Sequence, residues 1–187
     1  CDDGNDITEL CDYGATECMV CDSSCQYVSG PTRYCGDGVL NAEEGEECDT
    51  ANLNADDAGC LEACVSATCG DGLLRMDVSE GIEGYEACDD GEGNNDLGAC
   101  LSDCVVASCG DGFRRQDIAQ GEPGYEACDD GAEDSEICDA FDCSFAACGD
   151  SYVNAVAGET CDDGNTTNSD HCTAMCTPAR CGDGILW

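Results

Sequence analysis

Cysteine returns along this chain on a regular beat. A Cys-Gly-Asp-Gly string, or a close variant, starts at Cys35, Cys69, Cys109, Cys148 and Cys181, in steps of 34, 40, 39 and 33 residues. A second string, Cys-Asp-Asp-Gly or a variant, starts at Cys1, Cys48, Cys88, Cys128 and Cys161. Each full unit closes on two cysteines: Cys60 and Cys64, Cys100 and Cys104, Cys138 and Cys143, Cys172 and Cys176. Self-similarity at a period of roughly 20–50 residues marks a repeat protein. The expected units are a partial, aberrant repeat at 1–34, a short repeat at 35–68, long repeats at 69–108 and 109–147, a short repeat at 148–180, and the start of another at 181–187.

The 22 cysteines stand in a chain of 187 residues that holds only three Phe, three Met and one Trp. Little apolar surface is available for burial, so covalent or metal staples must supplement the core. Disulfides persist outside the cell, in the secretory lumen or in the periplasm, so an extracellular or cell-surface protein is expected. A reduced zinc protein would show paired CxxC units with histidines. Here there is one CxxC, Cys18 to Cys21, and one histidine, His171. The net charge of −38 disfavours nucleic acid and anionic membranes as partners. No apolar run reaches the ~20 residues that span a bilayer, so no membrane insertion is expected.

No sustained helical or strand period is present. The expected fold is a set of small disulfide-rich, irregular, loop-dominated repeats with short β-strands and turns, strung into an elongated array. One helical turn is expected at each closing pair. The apolar residue after each opening string (Val39, Leu73, Phe113, Tyr152, Ile185) is expected to pack under a disulfide.

Four cysteines per unit allow three pairings. In one scheme the second-string cysteine joins the first closing cysteine, and the last closing cysteine bonds forward to the next unit. That gives Cys48–Cys60, Cys64–Cys69, Cys88–Cys100, Cys104–Cys109, Cys128–Cys138, Cys143–Cys148, Cys161–Cys172 and Cys176–Cys181, and every cysteine can pair within the chain. In the alternative, the opening cysteine pairs within its own unit, which orphans Cys181 and one cysteine near the start. Parity favours the first scheme.

Acidic residues recur in register with the cysteines. Asp37, Asp71, Asp111 and Asp150 stand two after the opening cysteine, and Glu46, Glu86, Glu126 and Glu159 two before the second. Asp49, Asp89, Asp129 and Asp162 follow that cysteine, and Asp90, Asp130 and Asp163 come next. Two explanations compete. Asp-Gly is a turn dipeptide, and acidic faces are usually solvated. Clustered carboxylates also form the ligand set of Ca²⁺, which takes 6–8 oxygens. The recurrence at fixed offsets favours structural calcium as the cofactor. No catalytic constellation is present, so no enzyme is expected. Asn165-Thr166-Thr167 is an N-glycosylation sequon.

The strings "CGDGVLNAEEGEECD", "CGDSYVNAVAGETCDDGN" and "CDDGNTTNSDHCTAMC" resemble the Myxococcus-type cysteine-rich (disulfide-rich) tandem repeat. The resemblance covers nearly the whole chain. Ser151 replaces a glycine, Thr50-Ala51 replaces Asp-Gly, and the first unit is irregular. What the resemblance implies is a secreted or surface module without catalytic residues.

The expected function is a structural stalk, spacer or fibre segment, whose partners are neighbouring repeats or identical chains. Two alternatives are an adhesion module, with glycans or proteins held by the long inserts at 73–87 and 113–127, and an acidic calcium buffer. The chain opens on "CDDGN" and closes on "CGDGILW", so a window from a longer run of repeats is expected, or ends completed by neighbouring chains.

Overall fold

The computed structural model describes residues 1, 4 and 7–184. The expectation for Ile185 lies outside these. The protein is small, disulfide-rich and loop-dominated, with ten disulfides and no α-helix among the described residues. Residues 1–92 and 93–187 form two compact units.

In the first unit, β1 (Met19–Cys21) pairs antiparallel with β2 (Tyr27–Ser29), Val20 opposite Val28. In the second, β3 (Cys138–Asp139) pairs with β4 (Ser144–Phe145). Both are hairpins built on a closing cysteine pair, and single antiparallel bridges Cys60–Ser66, Cys100–Val106 and Cys172–Pro178 mark the same turn elsewhere. The expected helical turn is therefore a hairpin turn. Its second cysteine adopts a left-handed backbone every time: Cys25, Cys64, Cys104, Cys143 and Cys176 have φ between 50° and 61°. That conformation costs a non-glycine residue about 1–2 kcal/mol.

The cystines explain how this is tolerated. Cys35 joins Cys64 and Cys48 joins Cys60. Cys109 joins Cys143 and Cys128 joins Cys138. Cys148 joins Cys176 and Cys161 joins Cys172. The bonds are nested, outer around inner. The forward bonds Cys64–Cys69, Cys104–Cys109, Cys143–Cys148 and Cys176–Cys181 do not form, and Cys25 and Cys181 are the free thiols. The hairpin gives the reason. Residues after Cys64 run back along the turn, with the Ala67 N–H donating to Gly59 O at 3.1 Å, and so carry Cys69 away. Meanwhile the N–H groups of Glu47 and Cys48 donate to Cys64 O at 2.8 and 3.3 Å, seating the second string against Cys64. The irregular first repeat carries Cys1–Cys21 and Cys11–Cys18, and Cys69, Cys88, Cys100 and Cys104 are also disulfide-bonded.

The core consists of these cystines and the residue that follows the first closing cysteine: Leu61 and Leu101 are buried, as is Thr173. The residue after the opening string is not core. Val39 is 63% exposed and Phe113 43%, because the loop turns that side chain outward. Consecutive repeats touch through the start of the long inserts. The Met76 N–H donates to Asp57 O and the Gln116 N–H to Leu97 O, each at 2.8 Å. Arg75 pairs with Asp77 at 2.6 Å and packs against Gly59 and Gly84. Arg115 pairs with Asp117 at 2.8 Å.

Two sequence departures show up as backbone strain. Ala51 occupies the place of Gly91, Gly131 and Gly164 and is forced to φ 60°, while Ser151, in an opening-string glycine position, sits at φ 79°. Ala51→Gly is expected to stabilise the protein by roughly 0.5–1 kcal/mol, the left-handed strain less the glycine entropy cost, as read by denaturant melting. Native alkylation followed by peptide mapping should label Cys25 and Cys181 alone and recover Cys35–Cys64 and Cys109–Cys143 as linked pairs.

Candidate functional site

With so little sheet and helix, backbone donors must find other acceptors. The recurrent acids supply them. The Asp49 carboxylate accepts from Gly36 N–H at 2.9 Å and Ala51 N–H at 2.7 Å. Asp89 accepts from Gly70 at 2.8 Å and Gly91 at 2.6 Å. Asp129 accepts from Gly110, Gly112 and Gly131, and Asp162 from Gly149, Ser151 and Gly164. Each of these aspartates ties the opening string of its repeat to the second string.

The opening aspartates close their own loops. Asp37 accepts from Tyr34 at 3.1 Å and Val39 at 2.8 Å. Asp71, Asp111 and Asp150 repeat this with Thr68 and Leu73, Ser108 and Phe113, Ala147 and Tyr152. The glutamates are buried, Glu46 at 4% and Glu126 at 3% exposure. Glu46, Glu86, Glu126 and Glu159 accept the N–H of Asn41, Arg75, Arg115 and Asn154 respectively. Glu46 also receives the Tyr13 hydroxyl at 2.8 Å. The next acids are peripheral: Asp130 accepts from Ser135 Oγ, Asp163 from the Asn165 amide, and Asp90 is exposed.

This donor pattern gives these positions a turn-forming role. Glu46, Asp49 and Cys64 lie within 4.8 Å of one another, as do Cys148, Glu159, Asp162 and Cys176. The sulfurs there belong to cystines, whereas a metal-binding cysteine is a thiolate. The carboxylate oxygens face N–H groups, whose positive ends would repel a cation. Their carboxylate oxygens serve as acceptors for backbone amides. At the sequon, the Asn165 side-chain amide donates to Asp163 at 2.9 Å and to Asp170 at 3.2 Å.

The electrostatics follow. Burial pushes the Asp49 carboxyl up, but the N–H groups of Ala51 and Gly36 outweigh it and hold it below 3.8. Asp162 is lowered against its burial by Gly149, Gly164 and Ser151 in the same way. Glu126 is raised, first by burial and then by Asp129 and Asp111, against the Arg115 N–H.

Residue 139 breaks the pattern. Asp139 occupies the place of Leu61 and Leu101 and is 1% exposed. Its Oδ1 accepts from Asn154 Nδ2 at 2.6 Å. Asn154, itself buried, also donates to Ser135 O and Cys138 O and so binds the 109–147 repeat to the following one. Tyr152 reinforces that join: its hydroxyl donates to Asp134 at 2.9 Å and its ring stacks on Phe141 at 5.7 Å. Asp139, Asn154 and Phe141 were not singled out from the sequence. The signal was there, since Cys138 and Cys143 are spaced one residue wider than the other closing pairs.

Comparison with known proteins gives a limited result. No family model matches. No solved structure matches. A stretch of 55 residues, 29% of this chain, is 42% identical to the acetylcholinesterase collagenic tail peptide of Torpedo marmorata, and the match spans 11% of that protein.

Replacing Glu126 by Ala strands the Arg115 N–H in a buried site and is expected to cost about 1–3 kcal/mol, whereas Glu126→Gln keeps an acceptor and should cost less; chemical denaturation reads both. Asp49 and Asp162 have folded pKa values below the unfolded ones. Their stabilisation is complete above 3.8 and is lost as pH falls through the lower folded values. Acid unfolding is therefore expected below the ordinary aspartate range, and far-ultraviolet circular dichroism during acid titration measures it. Dialysis against a calcium chelator should leave the melting temperature unchanged.

Proposed function

We infer that this chain is part of an extracellular structural protein, a disulfide-stapled array of Myxococcus-type repeats that serves as a stalk, spacer or fibre segment. The observation that carries this is the recurrence of one staple. A nested cystine pair and an aspartate holding the opening loop return in the repeats at 35–68, 109–147 and 148–180. Such a unit is held together by covalent and charged cross-links rather than by a large apolar core. Ten disulfides suit an extracellular setting, and no helix among the described residues is long and apolar enough to cross a membrane. The relative's description as a collagenic tail peptide supports a structural role.

Partners follow from the two free thiols. Cys25 has the left-handed backbone of a second closing cysteine, and Cys181 belongs to an opening string. In the 35–68, 109–147 and 148–180 repeats these two positions are bonded to each other. Cys25 and Cys181 thus present complementary halves of one cystine, for neighbouring repeats or for identical chains. The long inserts support this reading over adhesion, because their first residues hold the preceding hairpin.

Small-angle scattering of the chain, with and without Cys25→Ser and Cys181→Ser, tests the proposal. An elongated particle is expected, and under oxidising conditions covalent multimers that either substitution reduces. A compact globule would rule out the stalk. Binding of a glycan or protein that is lost on altering residues 78–85 would favour the adhesion module.

A further inference from the structure

We propose that the hairpin of the 148–180 repeat is a socket for a second copy of this chain, which inserts the exposed Val39–Asn41 segment of its 35–68 repeat, so that copies add head to tail. Resting on the fibre reading above, this contact supplies its non-covalent link. The join inside the chain is the template. Tyr152 and Asn154 stand four and six residues after the opening cysteine Cys148. Both reach into the hairpin of the preceding repeat. The Tyr152 hydroxyl donates to Asp134 at 2.9 Å, and its ring stacks on Phe141. Asn154 Nδ2 donates to Asp139 Oδ1 at 2.6 Å and to Cys138 O at 3.4 Å. Seated there, Asn154 is 1% exposed.

The 35–68 repeat carries the same plug. Val39 and Asn41 stand four and six residues after Cys35. The Asn41 backbone holds the place of Asn154, since each N–H donates to the buried glutamate of its own repeat, Glu46 or Glu159. This plug is not seated. Nine residues separate Cys35 from the preceding closing cysteine, Cys25, where four separate Cys148 from Cys143. Val39 is 63% exposed and Leu40 54%, and the Asn41 amide turns back on Val39 O at 2.6 Å.

The 148–180 repeat carries the socket. A groove of about 620 Å³ is lined by Asn168, Thr173, Ala174, Met175, Pro178 and Arg180, among others. Counted from the first closing cysteine, Asn168, Thr173 and Met175 hold the places of Asp134, Asp139 and Phe141, the residues that receive Tyr152 and Asn154. The match holds in the hydrogen bonds, because Asn168 accepts the Ala174 N–H as Asp134 accepts that of Ala140. One acceptor is unmet. Cys60 O takes the Ala55 N–H, Cys100 O that of Asn95, and Cys138 O that of Ser135 as well as the Asn154 amide. Cys172 is 3% exposed, and no donor among the described residues reaches its carbonyl. A buried carbonyl without a donor is costly. An inserted asparagine amide satisfies it as Asn154 does Cys138 O.

Charge complements shape. The ion pairs of the described residues lie at Arg33, Arg75 and Arg115 and leave Arg180 outside them. Glu43, two residues beyond Asn41, is exposed. Opposite charges thus meet at this contact, in a chain whose net charge of −38 elsewhere keeps copies apart. Plug and socket belong to different repeats, so the contact is heterologous and can continue from copy to copy.

Sedimentation equilibrium of the full chain at physiological salt tests this, with Cys25→Ser and Cys181→Ser in every sample so that only non-covalent contacts count. Growth with concentration beyond the dimer is expected. Asn41→Ala, which keeps the backbone N–H to Glu46, and Arg180→Glu should each weaken association roughly tenfold. Adding Glu43→Arg to Arg180→Glu should restore it. The Asn41→Ala chain keeps its socket and the Arg180→Glu chain keeps its plug, so a mixture of the two should form heterodimers that stop at two. A monomer at every concentration overturns the proposal, as does association that both single variants leave unchanged, or a mixture that pairs no better than its parts. Covalent multimers are read separately with both thiols intact, so the thiol contact and this one can fail independently.

Discussion

The hydrogen bonds from the opening-string glycine to the aspartate after the second cysteine are what the rest of each repeat depends on. Gly36 to Asp49, Gly70 to Asp89, Gly110 to Asp129 and Gly149 to Asp162 are the same contact. A charged acceptor makes a hydrogen bond about twice as strong as a neutral one. Here it replaces the ladder that a sheet or helix would provide. Once the loop is held there, the second string lies along the last closing cysteine, and the outer cystine can close. The disulfide then restrains the unfolded chain, by typically ~2–4 kcal/mol. It also holds the second closing cysteine in a backbone conformation that it would not choose alone.

This arrangement changes the meaning of the charge. A chain with 43 acidic residues and 5 basic ones invites a search for cations. Yet the aspartates of the opening string and those directly after the second cysteine are occupied by backbone amides, and the buried glutamates serve the same purpose one layer deeper. An N–H donor is a weak positive partner that costs no ion and no arginine. Most of the other acids face solvent, where screening limits their repulsion, and Asp139 is a buried exception.

Much of this was legible in the sequence. The inner cystine and the loop-holding acids follow from the spacing of Cys48, Cys60, Asp49 and Glu46 and their counterparts. The outer cystine was not, because parity counts bonds and says nothing of direction. What directs it is a hairpin with a left-handed cysteine at Cys64, and no residue type announces that conformation as glycine would. The acid pattern was visible but its partners were not: carboxylates suited to calcium and carboxylates suited to amides look alike until the amides are placed. The outward turn of Val39 was equally hidden, since an apolar residue in a loop carries no period to say which face it takes.

The position after the first closing cysteine shows how repeats of one design come to differ. In the 35–68 and 69–108 repeats it holds Leu61 and Leu101, which add apolar burial to the cystines. Thr173 bonds Thr177 within its own hairpin. Asp139 turns the same buried place into a polar joint, reached by Asn154 from the next repeat. Cystines fix each unit too firmly for it to be adjusted from within. The joins between units carry no covalent staple among the described pairs at 35–68, 109–147 and 148–180, so one side chain there changes the coupling without disturbing the repeat. The joins are where one repeat of this design is free to differ from the next, as buried Asp139, reached by Asn154, differs from Leu61 and Leu101.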